Sequence, residues 1–460
     1  MILNFVEFRR ELEKINEWWL TEKVKEAERY PFKRTIFEEI KNELKSRRII
    51  ILLGPRRVGK SILIKQIIGD IIRNNTDPYS LLYYSLDDPT LFTHSNNLLK
   101  DLIDYYKENI AKGETKYVFL DEIHSSKDWF KWVKSYYDKF PDLKFILSGS
   151  SSLALQKDAN KYLRGRTIEM ELYPLNFKEF LELSDAEIKE IDISQEDIYK
   201  IDELKLKRLW YKIKAYYNEY LLVGGFPEWF EIKNLDNSVE RWFLRLINDI
   251  PKKAIYEDVA NLFGVKNPKI LELVFAFIAA NQSRVLAYET INEVARLDRL
   301  TLVNYIEFLK SSYLLIDILK FAGLKEQIKA KKKYLIIDQG LRNAILKDYQ
   351  VKEDNIGFII ENLIGIKCYL SIRKRGQNIF YWKTNDEIDF VIDNKDILPI
   401  EVKYRSQIKP KEIRGLLNFM TKTKIKKGII VTKDLYKREE TGGKKIQFTP
   451  AWLFLLTELI

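Results

Sequence analysis

The chain has 460 residues, 46% of them hydrophobic, with 78 Lys+Arg against 67 Asp+Glu and a net charge of +11. This length exceeds one ordinary domain and points to about three, and 18 Gly with 12 Pro are too few for a fibrous or low-complexity chain. One cysteine, Cys368, excludes an intramolecular disulfide framework and fits a reducing interior, where its apolar and aromatic flanks make it a buried filler. Acids interrupt every long apolar stretch and the N-terminus lacks a signal-peptide succession, so a soluble cytoplasmic protein with no membrane role is expected. Abundant Ile, Lys, Glu and Tyr beside three Met lean toward a thermophile.

Residues 1–34 read as a charged amphipathic helix carrying Trp18 and Trp19, suited to packing against the neighbouring domain. The apolar run Ile49–Leu53 then delivers Gly54-Pro55-Arg56-Arg57-Val58-Gly59-Lys60-Ser61, a full match to the phosphate-loop pattern GxxxxGK[ST]. A strand must bring such a loop and a helix must receive it, because the helix N-terminus and successive backbone N–H groups cradle the phosphates of a nucleotide. Here the helix behind the loop is apolar on one face through Ile62, Leu63, Ile67, Ile68 and Ile71. Lys60 supplies a point charge to the β- and γ-phosphate oxygens of ATP, and the Ser61 hydroxyl suits Mg²⁺.

Tyr79–Leu86 reads as a further strand, and Tyr117–Asp121 as another, which ends in Asp121-Glu122. Asp121 can hold the metal's water shell while Glu122 polarises an attacking water. Lys144–Ser150 continues the series. Ser148 then either senses the γ-phosphate or merely turns the chain at a strand end. Strands alternating with helices predict a parallel sheet covered on both faces, an α/β ATPase core over 35–174.

Residues 175–262 read as a helical lid with a charged insertion near 184–207. Over 263–345, helices at 270–280, 288–295 and 301–311 precede strands at 313–320 and 334–337, a succession similar to a winged helix. In that reading Thr301, Asn304 and Lys310 lie on a recognition helix and Lys329–Lys333 form a basic wing able to touch phosphates, unless the domain is a spacer.

Charge is unevenly spread. Residues 1–320 hold 50 Lys+Arg against 50 Asp+Glu, and residues 321–460 hold 28 against 17, so the whole excess lies in the last third. A polyanion such as DNA is the natural partner for this asymmetry, a solvated basic surface the plainer alternative. Within 346–460, a helical pattern around 357–367 carries Glu361 among apolar residues, and three short strands follow, with turn residues between them. Alternation puts Glu401 and Lys403 on one side of the last, with Val402 buried behind them. With Asp389 on the hairpin partner and Glu361 above, three carboxylates and an ammonium converge. Asp389, Glu401 and the Val402 carbonyl could hold Mg²⁺ or Mn²⁺, Glu361 its water, and Lys403, its pKa lowered by burial, could position or deprotonate an attacking water.

These residues resemble the PD-(D/E)xK nuclease superfamily, with Asp389, then Glu401-Val402-Lys403, and Glu361 upstream; Ile388 stands where the name-giving Pro would be. The chain as a whole resembles archaeal and bacterial AAA-type ATPases of the extended AAA+ class with a C-terminal nuclease-like domain of the DUF4143 type. The carriers are the phosphate loop, Leu120–His124, Ser148–Ser152, Leu163–Arg166, Tyr173-Pro174-Leu175 and Gly224–Glu228. The resemblance implies a restriction-endonuclease-like α/β fold for 346–460. It also makes Arg164 and Arg166 candidates to contact the γ-phosphate of their own site or, in a homo-oligomer, of a neighbour's. The expectation is an ATP-dependent DNA-processing enzyme with Mg²⁺-dependent cleavage, or else a nucleotide-switched scaffold or DNA motor whose nuclease fold only binds.

Overall fold

A computed structural model describes residues 5–88, 97–126, 128–149, 161–184, 201–259, 265, 267–373, 376–393 and 396–457. Most of the charged insertion near 184–207, the stretch Ser150–Ser152 and part of the turn at 394–396 lie outside these residues. The chain divides into two compact units, Met1–Tyr173 and Pro174–Ile460.

In the first unit, β1 (Ile49–Leu53), β2 (Leu81–Ser85), β3 (Lys116–Asp121), β4 (Leu143–Gly149) and β5 (Thr167–Glu171) form one sheet in the order β2-β3-β4-β1-β5. Every pairing is parallel. β1 is buried along its whole length, as its unbroken IIILL run requires of a strand covered on both faces. The order reverses beside β1, and in open α/β sheets such a switch point leaves a crevice at the carboxyl ends of the strands. The phosphate loop leaves β1 at that crevice.

The N-terminal segment covers the edge strand β2. The Asn16 amide accepts from Tyr83 N–H (2.7 Å) and donates to Tyr83 O (3.1 Å), imitating a neighbouring strand. Both Trp18 and Trp19 donate their indole N–H to Leu81 O, at 3.1 and 2.8 Å. An open edge is thereby closed to other chains.

The second unit opens with the helix Phe177–Leu183, started by an Asn176/Glu179 capping box, and the long helix Glu203–Val223, capped by Asp202. Asp338 caps the helix Gln339–Leu346 by accepting from Leu341 N–H (2.9 Å), and its other oxygen accepts from Gly225 N–H (2.6 Å). The Gly224-Gly225 pair is thus a close-packing joint: Gly225 O accepts from Leu175 N–H (2.7 Å), and a Cβ on Gly225 would lie 2.2 Å from Leu175 O.

Nine strands make one mixed sheet: β6 (Val285–Leu286), β7 (Leu315–Lys320), β8 (Lys332–Ile336), β9 (Asn378–Lys383), β10 (Glu387–Asp393), β11 (Leu398–Lys403), β12 (Lys427–Thr432), β13 (Lys437–Thr441) and β14 (Lys444–Pro450). Their order is β13-β14-β12-β11-β10-β9-β7-β8-β6. The sequence suggests separate domains on either side of residue 345, but Leu319↔Phe380 and Lys320↔Tyr381 pair β7 with β9 and carry the sheet across. One face packs Trp382, Ile388, Val391, Ile430 and Phe448 with Leu416, Phe419 and Met420 of the helix Arg414–Thr423. The helix Ile356–Arg373 approaches the sheet so closely that a Cβ on Gly365 would lie 2.6 Å from the Phe390 ring.

Among the described residues, no helix is long and apolar enough to cross a membrane.

Candidate functional site

The phosphate loop ends where the helix Lys60–Arg73 begins, with Gly59 at its N-cap in the left-handed region (φ 97°). Gly54 has φ 151°, and a Cβ there would stand 2.1 Å from Leu172 O, so only glycine fits. Lys60 is buried and its ammonium donates to Gly54 O and Pro55 O, both at 3.0 Å. Two carbonyls of the loop thus hold the lysine inside the curve where phosphates would lie. Ser61 is exposed in the first turn, Val58 is buried, and Ile62 is half-buried.

β4 lies between β1 and β3 and sets Ser148 beside the acids of β3. Asp121 is 1% exposed. Its Oδ1 accepts from the Ser148 hydroxyl and from Glu122 N–H (3.2 Å), and its Oδ2 accepts from the Tyr83 hydroxyl (3.0 Å). Burial, then the Asp121 charge, pushes the Tyr83 hydroxyl well above its ordinary range, so Tyr83 stays a donor. Ser148 Oγ also accepts from Glu122 N–H (3.3 Å), which makes Ser148 a hydrogen-bonded strut rather than a bare turn residue. Glu122 sits at φ 46°, a left-handed conformation rare outside glycine that turns its carboxylate away from the strand line. Its Oε2 lies 3.3 Å from His124 Nδ1, and among the described residues neither atom has a hydrogen-bond partner.

The exposed Ser61 hydroxyl and the rigidly held Asp121 carboxylate are the hard-oxygen groups that could hold Mg²⁺ on a nucleotide. The Tyr83 hydroxyl on Asp121 escapes sequence reading because the two residues lie on different strands. The available signal for Tyr83 is its place on the strand beside β3, where Tyr83 pairs with Phe119 and Ser85 with Asp121.

Arg164 and Arg166 do not reach this site. Arg166 O accepts from Ile49 N–H (2.8 Å), which puts both arginines at the amino ends of the strands, whereas the loop leaves the carboxyl ends. A strand length of roughly 13–17 Å intervenes. Arg166 is also engaged by Asp138 through two hydrogen bonds, at 2.9 and 3.3 Å. Contact with the γ-phosphate of their own site is therefore excluded by sheet direction.

In the second unit the four residues expected to converge do so. Asp389 and Glu401 are buried. A register shift between Ile388 and Val391 explains the position of Asp389: those two residues share the core on one face, and the bulge between them turns Asp389 and Phe390 to the other. Asp389 Oδ2 accepts from Val402 N–H (2.9 Å), and Glu401 Oε2 accepts from Asp389 N–H (3.3 Å). Lys403 pairs with Glu401.

The cluster differs from expectation in three ways. Lys333, expected on an exposed basic wing, is 0% exposed. Its ammonium lies 2.7 Å from Glu361 Oε1, 3.3 Å from Asp389 Oδ1, 3.4 Å from Asp389 O and 3.7 Å from Glu387 Oε1. Lys403 is not lowered as expected: burial, which alone would depress it, is outweighed by Glu401 and Asp389, and the ammonium is held above its usual range. Val402 is half-buried rather than buried and meets Asp389 through its N–H.

Burial, then Asp389, pushes both Glu361 and Glu401 upward. Burial alone would also depress Lys333, but Glu361 and Asp389 raise it and keep it charged. With Lys333 between Glu361 and Asp389 and Lys403 on Glu401, the donor set does not fit a divalent ion as arranged. Among the described residues no group of three or more His, Cys, Asp or Glu side chains is set to hold one. The signal for Lys333 was available: it is in phase with buried Leu335 along β8, so alternation turns it inward.

Of the other expected wing and recognition residues, Asn304, Lys329 and Lys331 are exposed, whereas Lys332, Lys310 and Thr301 are engaged by neighbouring acids. Lys332 and Lys310 both pair with Asp317, at 2.7 and 3.0 Å. The Thr301 hydroxyl donates to Asp298 (2.6 Å), which caps the helix Arg299–Ser311.

Residues 46–181 match the family model of an AAA domain, residues 214–351 a domain of unknown function (DUF8612), and residues 356–454 another (DUF4143). The chain is 27% identical over 442 residues to the uncharacterized protein MJ1544 of Methanocaldococcus jannaschii, covering 92% of each. It is 27% identical over 418 residues to an uncharacterized protein of Haemophilus influenzae, covering 88% of this chain and 94% of that one. Among solved structures, the Walker-type ATPase PABY2304 of Pyrococcus abyssi is similar at 16% identity with a TM-score of 0.45, over 68% of this chain and 96% of that one. The AAA match spans the parallel sheet, the phosphate loop and the Asp121–Glu122 acids: the chain carries an AAA-type P-loop ATPase domain.

Proposed function

We propose that this chain is a nucleotide-switched, polyanion-binding ATPase: it hydrolyses ATP at the crevice beside β1 and changes its grip on DNA with the state of the nucleotide. The observation that carries the reading is the frame at the strand ends, where Ser148, Asp121 and the Glu122 amide are joined by hydrogen bonds. In this reading backbone N–H groups of Gly54–Lys60 bind the phosphates, and Lys60 exchanges its two carbonyl partners for phosphate oxygens. Ser61 and Asp121 would hold Mg²⁺, which when bound would supply neutralisation of charge on the β- and γ-phosphates. Glu122 takes the proton of the attacking water, and Ser148 fixes the amide from which Glu122 projects.

The basic C-terminal third supports the DNA partner. A lid over 175–262 and a winged helix over 263–345 remain the reading of those helices, as transmitters of the nucleotide state.

The test is phosphate release from ATP. Lys60→Ala abolishes turnover. Glu122→Gln lowers kcat by about 10²–10⁴ while nucleotide still binds. Full turnover in Glu122→Gln would remove Glu122 from its role. Duplex-DNA anisotropy with ATP or ADP then reads the switch, and equal affinity in both states would remove it.

A second reading, the Mg²⁺-dependent DNA cleavage expected of Glu361, Asp389, Glu401 and Lys403, would require Lys333 to leave Glu361 and Asp389 before an ion could enter. Incubation with duplex, single-stranded and branched DNA plus Mg²⁺ or Mn²⁺ separates the two readings, with Asp389→Ala as control. Products that vanish in the control favour cleavage. A DNA motor would instead show DNA-stimulated turnover without products.

A further inference from the structure

Lys333 enters the carboxylate cluster from β8, which is separated from β10 by β7 and β9. Its ammonium stands 5.1 Å from the centre of the Phe390 ring and pairs with Glu361 of the helix Ile356–Arg373. A lysine fully removed from water is tolerated only when its charge is matched and its donors are used. Both conditions hold, since three acceptors, Glu361 Oε1, Asp389 Oδ1 and Asp389 O, lie within 3.4 Å and an ammonium has three donors. On the far side of Asp389, Val402 N–H and the Glu401–Lys403 pair complete the network.

We infer that Lys333 is the resident cation of this cluster. A tethered ammonium balances Glu361 and Asp389 where a divalent ion would otherwise be required, so the cluster is a closed, metal-independent ion-pair core, and removing Lys333 opens a divalent-cation site. The inference bears on the second unit alone and is independent of the ATPase reading. It deepens the non-cutting view of the C-terminal domain, because a site already holding its own cation cannot draw a metal and a phosphodiester together. A Mg²⁺ ion demands near-octahedral oxygens at about 2.0–2.1 Å. Meeting that demand at Asp389 would force Lys333 away from its acceptors or bring two cations together in a buried space.

The experiment is Mn²⁺ titration of nucleotide-free, full-length protein, read by the electron paramagnetic resonance signal of free Mn²⁺. Wild type and Asp389→Asn should give the same isotherm. Lys333→Met should gain one further equivalent, and the gain should disappear in Lys333→Met/Asp389→Asn. Wild-type binding that is lost in Asp389→Asn overturns the inference, as does a folded Lys333→Met protein that gains nothing.

Thermal melting guards against a Lys333→Met protein that does not fold. Mg²⁺ or Mn²⁺ should leave wild type and Asp389→Asn with equal shifts, whereas a rise of several degrees confined to wild type would overturn the proposal. ATP turnover is measured in parallel. Its loss in Lys60→Ala speaks only to the first unit, so failures of the two readings remain distinguishable.

Discussion

Lys65 illustrates how a single side chain can carry a measurable electrostatic cost. It is buried on the inner face of the helix Lys60–Arg73, its ammonium 3.8 Å from the centre of the Tyr83 ring and 4.7 Å from that of Trp18. Burial lowers it to about 8, against about 10.4 in an unfolded chain. Between those values the unfolded state keeps the proton that the folded state has released, so stability rises with pH through that window. Below it both states are charged and the folded state bears the full penalty. The ceiling is about 3 kcal/mol, reduced by the attraction of two ring faces for the ammonium. Lys65→Met should therefore be at least as stable as wild type at neutral pH. It should also lose the part of the rise between pH 8 and 10 that Lys65 supplies, as urea denaturation of both proteins would show. Equal slopes would refute the assignment. The sequence displays Lys65 only as a charge within an apolar helix, because a ring pair assembled from residues 18 and 83 leaves no local trace.

At the scale of elements, the sequence revealed what period and turn chemistry encode. Helices read at 270–280, 288–295 and 301–311 are observed as Pro268–Ala280, Tyr288–Ala295 and Arg299–Ser311. The strand read from Tyr79 begins two residues later, because Asp77 accepts from Tyr79 N–H and starts a short 3-10 turn. The pairing of β7 with β9 and the bulge at Asp389 were not legible, since neither strand's residues record a distant partner or an extra unpaired residue. The phosphate loop and its acids were legible because their chemistry is local, whereas the partners of Lys333, unlike its inward direction, required knowledge of which strands lie between β8 and β10.

Edge covering is also an element-scale device. Asn16 provides both a donor and an acceptor to Tyr83 of β2, so Asn16→Ala strands a buried N–H and a buried C=O together. At about 1–3 kcal/mol for each unsatisfied group, the expected loss is roughly 2–6 kcal/mol. It should appear as earlier thermal loss of ATPase activity. An unchanged inactivation temperature would mean that the N-terminal segment does not close the sheet.

For the whole molecule, charge and catalysis occupy different parts of the chain, which makes them separable by experiment. Lys424, Lys426 and Lys427 are exposed where the helix Arg414–Thr423 gives way to β12, and they belong to the third of the sequence that holds all the excess positive charge. If DNA is held by this surface, each phosphate contact releases counterions, and log affinity falls linearly with log salt at about 0.9 per contact on duplex DNA. Replacing all three lysines with Gln should weaken binding to unrelated duplexes alike and flatten that slope by up to about 3. Basal ATP turnover should stay unchanged, because none of the three belongs to the phosphate loop or the Asp121–Glu122 frame. Fluorescence anisotropy across a salt series measures the slope and phosphate release measures the turnover. An unaltered slope would move the DNA surface elsewhere on the second unit, while a sequence-dependent loss would mean that these lysines read bases rather than phosphates.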